Sequence, residues 1–104
     1  MLYMIVEQFR GKDPRPVYKR FAERGRMAPP NVQYVASWVD TNFERCFQLM
    51  EAPDSAALEV WLSNWRDIVG FEYWPVITSA EAVRRVAELR DSENDERATG
   101  KPGG

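Results

Sequence analysis

The segment Arg45–Glu51 constrains the fold more than any other stretch of this sequence. As a strand it would carry Cys46, Gln48 and Met50 on one face and Phe47, Leu49 and Glu51 on the other. Both faces are partly apolar, so we expect the strand to be covered on both sides. Gln48 and Glu51 then need partners, because burying a polar group without one costs about 1–3 kcal/mol. This segment is therefore the nearest thing to a site that the sequence shows.

The length and the cysteine content indicate one cytoplasmic domain. A chain of 104 residues is long enough for one core and too short for two. Its lone cysteine, Cys46, excludes an internal disulfide and fits a reducing compartment. No apolar run approaches the roughly 20 residues of a membrane span, and no basic region of a signal peptide precedes the first apolar run. We expect a cytoplasmic protein with no membrane partner.

The sequence contains no histidine, which excludes several kinds of site. Histidine is the commonest general base near neutral pH, the commonest zinc ligand and the usual haem ligand. Ser-His-Asp and Cys-His catalytic groups are therefore excluded within one chain. We expect no cofactor and no metal site. Any acid–base chemistry would fall to carboxylates, tyrosine, lysine or an activated water.

The basic residues cluster in one stretch of the chain. Residues 10–26 hold seven Lys or Arg against two Asp or Glu, whereas residues 1–90 as a whole are formally neutral. A basic stretch can meet an anion or a nucleic acid. A solvated helix face is the plainer interpretation of such a charge run, and we do not expect nucleic acid as a partner.

The predicted elements follow the order strand, helix, strand, strand, helix, strand, helix. The strands are Leu2–Phe9, residues 32–40, Arg45–Glu51 and residues 71–77. The helices span residues 14–26, 55–69, where Gly70 marks the end, and from about 78 to about 90. The residues expected to face inward are Val17, Tyr18, Phe21, Ala22 and Gly25 in the first helix, Leu58, Trp61, Leu62, Trp65, Ile68 and Val69 in the second, and Val83, Val86 and Ala87 in the third.

This order predicts an α+β fold, the ferredoxin-like βαββαβ plait with an extra C-terminal helix. Right-handed crossovers place the strands in the order 4-1-3-2 in one antiparallel four-stranded sheet, with two helices on one face. Pro75 fits an edge strand, because proline cannot donate to a ladder. We expect the domain to span residues 1–90 and the polar residues 91–104 to form a disordered tail.

The second face of this sheet predicts a homodimer. It carries apolar residues that no helix of the same chain covers, and large exposed apolar patches are uncommon in monomers. Two copies that pair these faces cover both. We therefore predict a dimeric α/β barrel.

Several short motifs together resemble a known family. They are Met1-Leu2-Tyr3-Met4, Gly25-Arg26-Met27 followed by Pro30, Ser37-Trp38, Cys46-Phe47-Gln48-Leu49-Met50-Glu51, Trp61 with Trp65 and Asp67, Phe71-Glu72, Pro75-Val76, and Ser79-Ala80-Glu81. Over roughly residues 1–83 the sequence is similar to domain-of-unknown-function family 3303, a bacterial family in the dimeric α/β-barrel group. The resemblance implies a fold and no established activity. Relatives with this barrel include cofactor-independent monooxygenases, haem-degrading enzymes and stress-response proteins, and the lack of histidine separates this chain from the haem-binding ones.

Eight residues are candidates for binding a small molecule: Arg26, Ser37, Trp38, Gln48, Glu51, Trp61, Trp65 and Glu72. Gln48 can orient a polar ligand and Glu51 can serve as an acid or base, although a regular strand puts them on opposite faces. The plainer interpretation is that Gln48 bonds to backbone and Glu51 pairs with an arginine.

The remaining candidates have structural alternatives as well. Trp61 and Trp65, one helical turn apart, either wall an aromatic pocket or pack in the core, and Trp38 beside Ser37 has the same two interpretations. We expect Arg26 to form a salt bridge with a carboxylate such as Glu72 or Asp67. Cys46 is expected to be an inert buried thiol.

Two functional hypotheses follow from these features. Aromatic richness with a few polar residues in strands is typical of a pocket, so the first is a homodimeric barrel that binds a small, largely apolar molecule between sheet and helices. Cofactor-independent monooxygenase-like chemistry is the activity such a pocket could support. The alternative is a non-enzymatic dimerisation or sensor module with a filled core.

Overall fold

The fold is a single antiparallel sheet with helices packed on one side. The computed structural model describes the backbone of residues 1–98 and the side chains as far as Asp91. The strands are β1 Leu2–Phe9, β2 Gln33–Val39, β3 Arg45–Glu51 and β4 Val69–Val76, and the helices are α1 Arg15–Arg24, α2 Ser55–Leu62 and α3 Ser79–Ala98. The strands lie in the order β2-β3-β1-β4, as predicted, and the ferredoxin-like plait is confirmed.

The register of the central strands defines the two faces of the sheet. Ile5 lies opposite both Gln48 and Tyr73, so alternate residues of three strands project from the same side. On that side, the helix face, β1 and β3 present buried side chains. The other side, the open face, carries half-buried residues of the same strands, among them Met4 and Leu49. Within the described part of one chain, the helices cover the helix face of the sheet and leave the open face uncovered.

Helix α2 contributes three side chains to the buried core. Asp54 caps it by accepting a hydrogen bond from the backbone N–H of Ala57 at 2.8 Å, and Leu58, Trp61 and Leu62 are buried. The predicted inward set of this segment is confirmed, because Trp65 and Val69 are buried too and Ile68 packs against the core.

The end of α2 was predicted too late in the chain. The helix stops at Leu62, and residues 63–68 continue as turns whose backbone bonds span three residues, such as Trp65 N–H to the Leu62 carbonyl at 2.9 Å. These tighter turns keep Trp65 facing inward while the chain reverses. Gly70 therefore does not end a helix. It is the second residue of β4, the edge strand that also contains Pro75.

Helix α1 lies over the helix face of the sheet and leaves a space between itself and the strands. It ends at Gly25, whose φ of +68° is the left-handed conformation that glycine adopts most easily. The α1 residues that were expected to face inward are not buried. Val17 is half-buried, whereas Tyr18 is 46% exposed, Phe21 is 42% exposed and Ala22 is exposed. The reason is a space between α1 and the sheet.

The prediction for the last helix is wrong in a different way. Helix α3 continues to Ala98, beyond the predicted end near residue 90, and residues 83–91 are all exposed. Val83, Val86 and Ala87 therefore do not face inward. Among residues 79–91, whose side chains are described, Glu81 and Ala82 in the first turn are half-buried and the others are exposed. Residues 99–104 of the predicted tail lie outside the described residues, and the domain boundary at residue 90 stays a prediction.

A bulge in β2 changes which residues share a face. Between Tyr34 and Ala36 the register with β3 shifts by one residue, at Val35. Tyr34 consequently lies opposite buried Met50 on the helix face, together with Ser37, which lies opposite Gln48. Ala36 and Trp38 lie on the open face. The bulge thus brings Tyr34 to the same side as the cavity described next.

Candidate functional site

A cavity lies between α1 and the helix face of the sheet. Its volume is about 140 Å³. Its lining residues come from the neighbouring strands β1, β3 and β2, from α1 and its following loop, and from α2 and the turn after it: Glu7, Phe9, Val17, Tyr18, Phe21, Arg26, Ser37, Val39, Cys46, Gln48, Trp61 and Trp65. The walls are mainly aromatic and aliphatic, and a few polar groups lie among them, as is usual for ligand pockets.

The loop after α1 is held in place by two tryptophans. The indole N–H groups of Trp61 and Trp65 both donate to the backbone carbonyl of Arg26, at 2.9 and 3.0 Å. The residues on either side, Gly25 and Met27, have φ values of +68° and +58°. A non-glycine residue in this conformation is uncommon and is retained where surrounding contacts impose it. The two indoles therefore fix the position of Arg26 at the rim of the cavity.

The Arg26 side chain stacks on aromatic rings and forms no salt bridge with any described residue. Its guanidinium carbon lies 3.7 Å from the centre of the Tyr34 ring and 5.2 Å from that of Phe21. The expected pairing with Asp67 or Glu72 is wrong. Asp67 is bound instead by Arg20 through two hydrogen bonds of 2.7 Å, which lower the pKa of this carboxyl to about 2. Arg26 thus keeps its positive charge uncompensated by a salt bridge beside the cavity.

Glu7 is the buried acid of the cavity. It lies near the end of β1 and is only 8% exposed. Burial disfavours its charged form and raises the pKa of the carboxyl from 4.5 to about 7, against the opposing effects of the positive charge of Arg26 and a hydrogen bond from the Cys46 thiol. A carboxyl with this pKa can accept or release a proton near neutral pH, which is the requirement for a general base.

Cys46 is a buried, neutral thiol beside Glu7 rather than a nucleophile. It lies directly opposite Glu7 in the sheet and is buried. Burial, together with the negative charge of Glu7, raises the pKa of the thiol to about 12. The thiol is therefore neutral at physiological pH, and reactive cysteines are thiolates.

Gln48 carries the polar group that lacks a partner. Its side chain is 4% exposed, lines the cavity and takes part in no hydrogen bond with another described residue. Among the described residues, every side-chain nitrogen or oxygen that is fully buried has a hydrogen-bond partner. Since the Gln48 amide has none, it is not sealed in the core but opens on the cavity. Opposite it, the Ser37 hydroxyl is 2.9 Å from the Tyr34 hydroxyl.

The structure brings together five of the eight sequence-predicted candidates and separates the other three. Arg26, Ser37, Gln48, Trp61 and Trp65 line the cavity. Trp38 and Glu72 lie on the open face of the sheet. Glu51 lies at the end of β3, where its carboxylate accepts a 2.6 Å hydrogen bond from the N-terminal ammonium group rather than pairing with an arginine.

Sequence reasoning missed Glu7 as the acid of the site. The signal was present in the alternation of β1, which places Tyr3, Ile5, Glu7 and Phe9 on one face. A carboxylate in that series is the single polar exception on an otherwise apolar face. The aromatic residues Tyr18 and Phe21 were identified as core, and it is the distance of α1 from the sheet that makes them cavity walls instead.

A second, wider cleft offers fewer free groups. It has a volume of about 640 Å³ and lies where the first turn of α3 meets the ends of β1 and β4. Both of its carboxylates are already paired, Glu51 with the N-terminus and Glu81 with Arg84 and Arg85. Among the described residues no three His, Cys, Asp or Glu side chains gather to hold a metal ion. No described helix has the length and apolarity needed to cross a bilayer.

The comparison with protein families identifies the domain. The family described as domain of unknown function DUF3303 matches residues 1–90. The chain belongs to this family. The match covers every strand and the whole lining of the cavity. Neither a curated protein nor a solved structure matches the chain. Because the description of DUF3303 names no activity, the function has to be argued from the cavity itself.

Proposed function

We propose that this DUF3303 protein binds a small, largely apolar molecule in the cavity between α1 and the sheet. The observation that supports this is the Gln48 amide, which is 4% exposed and has no hydrogen-bond partner among the described residues. Because this amide opens on the cavity, a molecule bound there can supply the hydrogen-bond partner that no described residue supplies. Its place is in the cytoplasm, as the lone cysteine suggests.

The cavity volume limits the size of the ligand. About 140 Å³ is close to the roughly 150 Å³ of an engineered apolar cavity that accepts benzene. A single ring with one or two small substituents fits this space, whereas a fused-ring molecule needs α1 to move. Because Tyr18 and Phe21 are partly exposed on that helix, the cavity can widen without opening the core around Leu58.

Filling the cavity tests the binding proposal directly. Val39→Phe places a larger side chain in the cavity. Val6→Phe makes the same change in β1, on the open face of the sheet, and serves as the control. We expect benzene or toluene, titrated at millimolar concentration, to shift the NMR signals of cavity residues in the wild type and in Val6→Phe. In Val39→Phe these shifts should be lost. Wild-type signals that do not respond to either compound would remove the proposal.

The same cavity has the group needed for cofactor-independent monooxygenase-like chemistry. Glu7 can take a proton from an activated CH2 group of a bound ring, which leaves a carbanion that can be oxidised by O2. Overall a CH2 group and O2 give a C=O group and one water, with four electrons passing from carbon to oxygen. Turnover of this kind is measured as oxygen uptake with a one-ring substrate that carries an activated CH2 group. Uptake no faster than with heat-inactivated protein, or unchanged in Glu7→Gln, speaks against it.

The alternative function is a non-enzymatic dimerisation or sensor module. It is favoured by the open face, where Trp38 is 55% exposed and Trp74 is 50% exposed beside half-buried Met4 and Leu49. An apolar face of this kind marks an interaction surface. We propose a second copy of this chain as the partner, because a two-fold axis lets the same face cover itself. Dimerisation is compatible with a ligand in the cavity, which lies on the other side of the sheet.

A further inference from the structure

The floor of the cavity is a strip of polar side chains that cross three neighbouring strands. Glu7 on β1 lies opposite Cys46 on β3, and Gln48, two residues further along β3, lies opposite Ser37 on β2. Side chains directly opposite in a sheet have Cβ atoms about 4.5–5.5 Å apart. Glu7 and Gln48 are diagonal neighbours across this strand pair, about 7–8 Å apart. The carboxyl and the amide project from the same face, and both line the one small cavity, which a single ring can span.

The hydrogen-bonding capacity of this strip is unevenly used. The Cys46 thiol lies opposite Glu7 and is buried, and the Ser37 hydroxyl is bonded to Tyr34. The Gln48 amide still has its donors and its acceptor free among the described residues. Glu7 has acceptor capacity beyond the single thiol, since a carboxylate can accept about four hydrogen bonds. What the floor lacks is a molecule that donates to Glu7 and accepts from Gln48.

The charges around the cavity oppose ionic ligands of either sign. Glu7 and Arg26 both line the cavity, so an ionic ligand of either sign meets one like charge there as well as one opposite charge. Bringing like charges together in a space with few waters costs more than it does at a surface. A neutral molecule with a polarised O–H or N–H group meets neither penalty. Its hydrogen bond to an ionised Glu7 is of the charge-assisted kind.

We propose that the cavity selects neutral one-ring molecules of the phenol type, whose hydroxyl donates to Glu7 and whose neighbouring acceptor is bound by the Gln48 amide. This inference rests on the proposed binding function and adds the chemical class of the ligand. Ring atoms contact the walls formed by Phe9, Val39 and Trp65, and the polar edge of the ring points to the floor. Specificity then comes from two side chains that the sheet register places as diagonal neighbours on one face.

Three probes of similar size separate this proposal from simple cavity filling. Toluene tests the space alone, phenol adds a neutral donor, and benzoate adds a negative charge. With the full chain at about pH 8, where phenol is neutral, we expect phenol to bind at least about tenfold more tightly than toluene and benzoate to bind most weakly. The measurement is an NMR titration of the cavity signals.

Two variants identify the groups responsible. Glu7→Leu keeps the side-chain size and removes the acceptor, so toluene should bind within about threefold of wild type while the advantage of phenol disappears. Gln48→Leu should weaken 2-methoxyphenol, which has an adjacent ether oxygen and stays neutral at this pH, more than it weakens phenol. Phenol that binds no better than toluene, a preference that survives Glu7→Leu, or benzoate as the tightest ligand would each overturn the inference while leaving cavity binding intact. If toluene and phenol both fail to bind, the proposed function itself is wrong.

Discussion

At the scale of single residues, the side chains around the cavity set one another's protonation and position, and the cavity does not depend on any one reactive side chain. Glu7 is kept partly protonated by burial, and Cys46 is kept protonated by burial beside Glu7. Arg26 is held by its backbone carbonyl, which leaves its side chain to stack on Tyr34.

Glu7 should make the folded state less stable as the pH rises. The carboxyl has a pKa of about 7 when folded and 4.5 when exposed, so between these values the folded state keeps a proton that the unfolded state releases. This contribution to the free energy of unfolding is complete below pH 4.5 and is lost by about pH 7, up to about 3 kcal/mol. The groups that face Glu7 are Arg26, Cys46 and Tyr18.

Urea unfolding at about pH 5 and about pH 8 measures this effect. Glu7→Gln is the matched control, because it keeps the size and polarity of the side chain and does not titrate. We expect the wild type to lose stability relative to Glu7→Gln as the pH rises. An equal pH response of the two proteins would contradict the raised pKa.

Trp61 and Trp65 should show coupled effects on stability. Each donates to the Arg26 carbonyl, so either single change to Phe leaves that carbonyl with one partner and should cost about 1–2 kcal/mol, including the lost packing. The double change leaves it with none. We expect the double variant to be destabilised by at least about 0.5 kcal/mol more than the sum of the single ones. Trp38→Phe, on the open face, is the control, and strict additivity would show that the two bonds are independent.

At the scale of elements, the strands could be predicted well and the helix packing could not. Strand alternation is local, so Leu2–Phe9 and Arg45–Glu51 have the expected bounds and their faces follow from the period of two. For α1 and α3, spacing alone identified an apolar stripe but not what lies beneath it. Tyr18 and Phe21 border a cavity, and Val83 and Val86 face away from the body. The distance from a helix to a sheet is set by tertiary contacts that no local pattern contains.

The same limit explains what was missed at the site. Gln48 and the two tryptophans could be identified because polar and aromatic residues are unusual at those positions. The importance of Glu7 depends on pairing across β1 and β3, and the bulge at Val35 moves Tyr34 to the face where it meets Arg26. Register and bulges arise from pairing between distant segments, so they are read from the structure.

The apolar stripe of α3 makes a testable difference between one chain and an assembly. Leu89 is 66% exposed, so in a lone chain Leu89→Lys should change the free energy of unfolding by less than about 0.5 kcal/mol. Leu58→Ala in α2, where the side chain is fully buried, should cost about 2–5 kcal/mol. Chemical denaturation of the two variants compares them. A cost at Leu89 that approaches the cost at Leu58 would mean that another copy covers this stripe.

At the scale of the whole molecule, the single chain is elongated. Its radius of gyration is 19.5 Å, whereas about 13 Å is typical for a compact domain of this length. The difference comes from α3, whose 20 residues extend about 30 Å. The chain therefore presents two apolar surfaces, the open face of the sheet and the exposed side chains of α3, and we propose that a second copy of the chain covers the open face.

The proposed dimer can be tested by a charge on the open face. Trp38→Lys replaces a side chain that is 55% exposed, so the fold should tolerate it, but two lysines would have to be buried in the interface. Light scattering at micromolar concentration should give twice the 12.1 kDa chain mass for the wild type and the chain mass for the variant. Val60→Lys, at an equally exposed position on α2, should remain dimeric. A wild type at 12.1 kDa would refute the dimer.

The four tryptophans are divided evenly between the two sides of the sheet. Trp61 and Trp65 are buried at the cavity and bonded to a carbonyl, whereas Trp38 and Trp74 are half-exposed on the open face. Indole emission shifts to shorter wavelength as water is excluded, so the two pairs differ in colour and in their quenching by iodide. Intrinsic fluorescence can therefore follow ligand entry through one pair and self-association through the other, within the same unlabelled sample.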